Sequence, residues 1–374
     1  MQAYITSSAQ FLPGDPVGCA DMSRYIGSVS SVSDRIGRLM LRRNRIVSRY
    51  YAIDEDGSSP WTVASLAGQA VRSMVDESGL EPRDVGLLAA STTQNDFLVP
   101  GIASGVHAES GLPPLEVLSC QSVCASSMMA LKGAVTQVKA GEHRMAVAVG
   151  AEFSSRFFRP EHYEGSVAED GSLPGDAEFL RWTLSDGAAC VLVEDRPRSG
   201  GLSLRVDWMR LRSFADRFEP CMVGGAVRSG DELVPWSLLP GGAGAAAGRG
   251  AFQLRQDVEA LHRMLPVWMG EFMRMVDEDL IVPDEVDWFL CHFSAHSLRL
   301  EMEKLAERAG CMIPRERWFT NIYDKGNVGS ASIYLLLDDL LRSGKLVPGQ
   351  RIVCAVPESG RCVMAHAGMT VVEG

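Results

Sequence analysis

Across 374 residues there is no run of about 18 apolar residues, so no stretch is long enough to cross a bilayer as a helix. Positive charge is also scarce, with 36 Lys and Arg against 47 Asp and Glu and a formal net charge of −11. Duplex DNA and anionic membranes need a phosphate-neutralising excess of cations, so neither is an expected partner. An acidic partner must meet a local basic patch. The nine cysteines contain no C-x-x-C pair and are odd in number, which argues against a disulfide framework or a zinc site. Most are expected to be buried, reduced and effectively apolar. The opening MQAYITSSAQFLPGDPVG lacks a basic start followed by an apolar run, so the expected location is the cytoplasm. What is present is an ordinary globular composition, 46% hydrophobic and 22% charged, sufficient for a large core.

The chain repeats itself. EPRDVGLLAASTTQ in the first half and VPDEVDWFLCHFSAH in the second both give a proline, an acidic residue, valine and a short apolar strand. Next, ASSMMALKGAVTQVKAGEHRMAVAVGAE and SASIYLLLDDLLRSGKLVPGQRIVCAVPES both read as small residues, helix, glycine stop and apolar strand. Two copies of one α/β plan explain the length, with a surface connection at EDRPRSGG dividing residues 1–196 from 197–374. Apolar strands alternating with helices imply sheets covered on both faces. The irregular stretches 155–182 and 212–250, rich in Gly, Pro and acidic residues, are expected to form mobile walls of a site.

Two cysteines stand four apart in SCQSVCASSMMALKGAV. Cys124, Met128, Leu131, Val135 and Val138 share one helical face, which puts Cys124 in the first turn. There the unpaired N–H groups and the dipole favour a thiolate. A helix end supplies only about 0.3–1 kcal/mol, so a second helper, a histidine, is needed. Cys120 lies in the strand-like EVLSCQS and reads as a packing residue. His292 follows directly on an apolar strand, at the C-terminal end where open α/β sheets place ligands. Together with His296 it makes an H-x-x-x-H spacing, but the glutamate of H-E-x-x-H is missing and the first His ends a strand, so zinc is not expected. His296 is read as structural or as a wall. Asn327, in the glycine-rich turn YDKGNVGSAS, leads into the duplicate of the Cys124 helix, so the two helix starts are expected to face each other; simple capping by Asn327 is the alternative. The run PGGAGAAAGRGAF fails as a dinucleotide loop because no clean strand precedes it, and a flexible wall loop is expected.

These residues resemble the ketoacyl synthase III branch of the thiolase-like superfamily. SVCASS matches the family's nucleophile at a helix start, DWFLCH its Asp-Trp…Pro-His signature with Cys291 in place of proline, and GNVGSAS its Gly-Asn-Thr-Ala-Ser type turn. LSDGAACVLVE and ESGRCV match two further glycine-containing strand turns. The resemblance implies a five-layered αβαβα fold of two duplicated halves and a homodimer, with STTQNDFLVPGIASGVHAESG at the dimer interface. It implies that Cys124 accepts an acyl group from a thioester, that the N–H groups of Cys124 and Gly360 form the oxyanion hole, and that His292 and Asn327 hold an enolate. No metal or redox cofactor is required.

Within the branch, FLPGDPVG, RRNRIVSRYYAID and CHFSAH look most like the cyclohexanedione-forming ketosynthases of dialkylresorcinol and stilbene pathways. Those join a 3-ketoacyl to a 2,3-unsaturated acyl thioester and close a ring, which asks for a further proton-handling group; Glu152, at the end of RMAVAVGAE, is the candidate, with a surface or Arg156-paired carboxylate as the alternative. Leu39 stands where the priming synthases place a tryptophan that stacks on coenzyme A. This weakens the case for tight coenzyme A binding, so donors on acidic acyl carrier proteins are expected beside coenzyme A thioesters, with Arg42, Arg43, Arg299, Lys304 and Arg308 as docking charges, or, for the last three, a solvated helix face. The competing readings are an ordinary priming synthase using malonyl carrier protein, acyl transfer to a hydroxyl or amine, and a silent partner subunit; Asn327 favours condensation and Cys124 speaks against silence.

Overall fold

A computed structural model of the chain describes residues 1–230 and 232–374 and builds them around one ten-stranded sheet. The first half supplies β1 (Tyr4–Phe11), β2 (Leu87–Thr92), β3 (Glu116–Gln121), β4 (Met145–Glu152) and β5 (Gly187–Glu194). The second supplies β6 (Leu202–Ser213), β7 (Trp288–Cys291), β8 (Trp318–Phe319), β9 (Arg351–Glu358) and β10 (Val363–Glu373). The order β8-β7-β9-β10-β6-β1-β5-β4-β2-β3 reads alike outward from its centre, each first-half strand answered by the strand five numbers later. Direction follows suit: β4 is parallel to β2 and antiparallel to β5, as β9 is to β7 and β10. At the centre β1 meets β6 antiparallel, so a pseudo-twofold axis passes between them.

Beside a short helical turn at Met22–Ile26, the helices of the described residues are α1 (Ser31–Arg43), α2 (Val63–Ser78), α3 (Ile102–Ser110), α4 (Ser126–Ala140), α5 (Gly175–Thr183), α6 (Gly242–Gly248), α7 (Val258–Asp277), α8 (His296–Ala309) and α9 (Ser332–Arg342). By chain position α2, α3 and α4 recur as α7, α8 and α9. Side-chain alternation along the strands then dictates the layers. Ala146 and Ala148 of β4 pack with Met128 and Leu131 of α4 and with Ile333 and Leu337 of α9, whereas Val147 and Val149 face the core under α2 and α3. On β9, Ile352 and Cys354 face the same central layer, and Val353 and Ala355 face α7 and α8. The result is five layers with α4 and α9 in the middle. A central helix needs apolar residues all round, and Leu335, Leu336 and Leu337 are consecutively buried. Each such side chain contributes about 1.5–3 kcal/mol relative to exposure.

Two expectations are corrected. The glycine run is not a loose loop: its Ala-rich centre forms the short helix α6, and Ala246 with Leu239 and Ala251 packs on Trp236 and Phe252. Residues 155–182 are not a free wall either, because Phe158, Tyr163 and Arg181 are fully buried and tie the segment to the body. Arg181 donates to the carbonyls of Phe158, Ile26 and Gly27.

Candidate active site

β3 delivers the chain to a turn at residues 122–125, and α4 starts only at Ser126. Cys124 therefore precedes the helix rather than occupying its first turn, a correction that weakens the dipole's help. The thiol is 4% exposed. Burial, then the charges of Glu358 and Glu152, hold its pKa well above the ordinary thiol range, against a smaller opposing contribution from its own backbone N–H. Burial thus favours the neutral thiol at rest, and Cys124 depends on the neighbouring histidine for deprotonation.

The helper is in place. His292 directly follows β7, its backbone N–H donates to Ala355 O at 3.0 Å, and its Nε2 stands 3.1 Å from Cys124 Sγ. Ser294 Oγ lies 3.4 Å from the same nitrogen. Burial pushes the imidazole pKa down to about 4, so it is neutral at pH 7 and free to accept the thiol proton. A neutral thiol beside a neutral imidazole activates the sulfur only as it attacks.

Asn327 lies in the turn before α9, but a 3-10 turn at Gly329–Ala331 intervenes and α9 begins at Ser332. It does not cap that helix. Its Oδ1 accepts from Gly329 N at 3.0 Å, its carbonyl accepts from Ser185 N at 2.9 Å, and its Nδ2 has no protein partner among the described residues. The neighbouring Val328 and Ala331 share a packed cluster with Cys124, so the two helix starts do face each other. Gly360 abuts the nucleophile turn: a Cβ there would lie 2.8 Å from Val123 Cγ2. Glu152 is buried, its pKa raised by desolvation, and its Oε1 accepts from Thr93 N, Thr93 Oγ1 and Ser330 N at 3.0, 2.7 and 3.0 Å. Arg156 pairs with Asp96 instead, at 2.8 Å.

Sequence reasoning missed Glu358. Its Oε1 accepts from Ser122 Oγ at 2.6 Å and its Oε2 from Ala125 N at 2.9 Å, on either side of Cys124. The signal was in the repeat, where AVGAE and AVPES end equivalent strands in glutamate-containing turns.

A cavity of about 510 Å³ opens beside the turn, lined among others by Thr93, Gln94, Leu98, Val123, Trp236 and Phe252. Of the basic residues, Arg42, Arg43, Lys304 and Arg308 are exposed and carry no ion pair among the described residues. Arg299 is different: only 16% of its side chain is exposed, it pairs with Glu303 at 2.8 Å and it lies over Phe293 and Trp318, so it is not a docking charge. His296 Nδ1 meets Tyr323 Oη at 2.8 Å, and Cys120 lies on edge strand β3 with its pKa raised by burial. Leu39 is exposed on α1. Among the described residues no group of three or more His, Cys, Asp or Glu is placed to hold a metal ion.

The chain is similar to known proteins. Residues 55–170, which include Cys124 and Glu152, match the family model "Thiolase, N-terminal domain". Residues 276–365, which include His292, Asn327, Glu358 and Gly360, match "3-Oxoacyl-[acyl-carrier-protein (ACP)] synthase III C terminal". The solved structure of AbyA1, a tetronic acid condensing enzyme, superposes with a TM-score of 0.77 at 21% identity over 100% of both chains. The chain has a thiolase-like fold. Cerulenin-bound OleA of Xanthomonas campestris shares this thiolase-like fold, with a TM-score of 0.76 at 18% identity over 99% of this chain and 97% of that one. A β-ketoacyl-[acyl-carrier-protein] synthase III of Rhizorhabdus wittichii is 24% identical over 353 residues, 94% of each chain. Together these support the ketoacyl synthase III side of the thiolase-like superfamily and do not single out its ring-forming branch.

Proposed function

We propose that the protein is a ketosynthase, an acyltransferase that forms carbon–carbon bonds through an acyl-cysteine. The observation that carries this reading is the 3.1 Å contact between Cys124 Sγ and His292 Nε2, with Asn327 in the facing turn held through its Oδ1 and its Nδ2 without a protein partner among the described residues. Cys124 Sγ attacks a thioester carbonyl and its proton passes to His292. The N–H groups of Cys124 and Gly360 hold the oxyanion, and the expelled thiolate takes the proton from His292. In the second step another thioester loses its α-proton to Glu152, or a malonyl group loses CO2; Asn327 Nδ2–H and His292 in its Nε2–H tautomer hold the resulting enolate oxygen, its carbon attacks the acyl-cysteine carbonyl, and the Cys124 thiolate leaves and takes up a proton, that of Glu152 or one from solvent. A carbon nucleophile exists at neutral pH only where donors for its charge are already in place. The halves 1–196 and 197–374 then supply the nucleophile and the enolate-holding pair respectively.

The finer reading joins a 3-ketoacyl to a 2,3-unsaturated acyl thioester and closes a 2,5-dialkylcyclohexane-1,3-dione. Glu152 Oε2, which takes no part in the bonds to Thr93 and Ser330, serves the extra proton transfer. Donors arrive on coenzyme A or an acidic acyl carrier protein that docks on Arg42, Arg43, Lys304 and Arg308. A second copy of the chain covers the exposed Phe97, Leu98 and Val99 (67, 84 and 82% exposed) beside edge strand β3, making a homodimer. No helix among the described residues is long and apolar enough to cross a membrane, and the proposed location is the cytoplasm. The second reading, a priming synthase that condenses an acyl group with malonyl carrier protein, is favoured by the match of residues 276–365.

The test is accurate-mass product analysis with a 3-ketoacyl and a 2-enoyl thioester, wild type beside Cys124→Ala. A Cys124-dependent dialkylcyclohexanedione is the expected product. Acyl-Cys124 without cyclic product, followed by condensation once malonyl carrier protein is added, would establish the priming reaction instead.

A further inference from the structure

Glu152 and Glu358 end the equivalent strands β4 and β9, both are nearly solvent-free (2% and 1% exposed), and each reaches into the opposite half. Glu152 accepts from Ser330 N in the turn before α9; Glu358 accepts from Ala125 N in the turn before α4. The two carboxylates are thus related by the pseudo-twofold axis. Glu358 alone brackets a nucleophile, one oxygen on residue 122 and the other on residue 125. It takes up the N–H of Ala125 and leaves that of Cys124 unused by the clasp.

Such a group is an odd neighbour for a nucleophilic thiol. A buried anion repels a thiolate and is itself expensive to desolvate, so hydrogen bonding must compensate for its presence. We propose that Glu358 is a positioning residue: from the opposite half it fixes the turn so that Cys124 N–H and Sγ both point into the site, and its charge makes attack depend on His292 taking the thiol proton. The groups that act on the thiol are Glu358 from β9, Glu152 from β4 and His292 from the end of β7, and Glu358 exerts the larger effect of the two carboxylates. Aligning the oxyanion-binding N–H compensates in rate for a less acidic thiol, because misplacement of reacting groups by about 1 Å costs roughly 100-fold.

This rests on Cys124 being the acylated group, and alkylation separates the two claims because it needs no substrate. Cys124 alkylation by iodoacetamide is followed by peptide mass as a function of pH, beside the rate of acyl-enzyme formation, in wild type, Glu358→Gln and Ser122→Ala, each checked for a cooperative melt. In Glu358→Gln the alkylation profile moves about one pH unit lower or more, so that Cys124 reacts about tenfold faster at pH 7. Acylation nevertheless slows roughly 10- to 100-fold. Ser122→Ala keeps the charge: its alkylation profile stays in place while acylation slows. An unchanged alkylation profile in Glu358→Gln, or wild-type acylation in either variant, overturns the proposal. If Glu358→Gln does not fold, Ser122→Ala decides: acylation at the wild-type rate, or an alkylation profile that moves, overturns the proposal. A wild-type protein that alkylates at Cys124 but never forms an acyl-enzyme removes the parent reading instead.

Discussion

The turns before α4 and α9 are built alike and used differently. Each lies between an outer parallel strand and a central helix, and each is clasped by the glutamate that ends a strand of the other half. The two clasped N–H groups, of Ala125 and Ser330, lie 205 apart (330 − 125), and on that register Gly329 falls opposite Cys124. Gly329 has φ +45°, and a Cβ there would lie 2.7 Å from Glu152 Oε1. One copy thus gives up a side chain to let the carboxylate close in, and frees Asn327 to present an amide. The other keeps a side chain, and its carboxylate holds the flanks. The two frames differ at this one position: a thiol beside His292 in one, a glycine under Glu152 in the other.

The sharpest way to break the equivalence is at that position. Cys124→Ala is expected to lower acyl transfer by about 1,000-fold or more with little change in melting temperature, read by intact mass of the acyl-enzyme and by product formation. Gly329→Ala should do the reverse in kind. The positive φ and the clash with Glu152 are expected to destabilise the fold by about 2–3 kcal/mol, measured by denaturant unfolding. Equal stability of Gly329→Ala and wild type would show that the α9 turn is not held as tightly as the geometry implies.

Much of this frame was legible in the sequence because it is local. Strand, helix and glycine stop occur twice in the same order, and Cys124, His292 and Asn327 sit within short motifs next to those elements. Glu358 was not legible as a partner of the Cys124 turn, since it meets Ser122 and Ala125 across 236 and 233 positions of chain, through one hydroxyl and one backbone N–H that leave no mark on composition. Arg299 failed for a related reason. Its charge pattern on α8 looks like a solvated face, and only the fold reveals Phe293 and Trp318 beneath the guanidinium. Cys124 was misplaced by a few residues, because the helical periodicity extends back past the point where α4 starts, at Ser126.

The halves also differ in their response to acid. In the second, burial lowers the pKa of His292 to about 4 and of His366 to about 3, and neither ring nitrogen of His366 has a partner among the described residues. Between those values and the ordinary 6.5 the unfolded chain binds protons that the fold refuses, so this contribution is complete above pH 6.5 and is lost as pH falls. In the first half Asp186 accepts from Ala52 N, Ser155 N and Ser155 Oγ, yet burial raises its pKa to about 6. There the fold holds a proton the unfolded chain releases, and the contribution is lost as pH rises through 6. His366→Phe should therefore flatten the loss of stability below pH 6.5 and, by removing unpaired buried nitrogens, add about 1–2 kcal/mol at pH 5. Asp186→Asn should flatten the opposite slope. Denaturant midpoints from pH 4 to 8 check both, and the same sign of change in the two variants would contradict the assignment.

The smallest effects concern α3 and α8, which occupy equivalent places in the two halves. IASGVHAES on α3 carries little charge and follows the exposed Phe97, Leu98 and Val99, whereas HSLRLEMEKLAERA on α8 is dense in charge. On the proposed function the two outer helices would meet different partners, a second copy of this chain beside α3 and an acidic carrier at the exposed Lys304 and Arg308 of α8. Arg299→Ala, which removes packing as well as an ion pair, is expected to destabilise by about 1–2 kcal/mol. Lys304→Ala and Arg308→Ala should stay within about 0.5 kcal/mol of wild type. Their effect belongs in kinetics: KM for an acyl carrier protein donor rises severalfold at low ionic strength, the difference shrinks as salt screens the surface, and KM for a short thioester without a carrier is unchanged. A rise in KM for both donors would move these side chains from a docking face to the tunnel mouth, and the contrast between α3 and α8 would then be one of solubility rather than of partner.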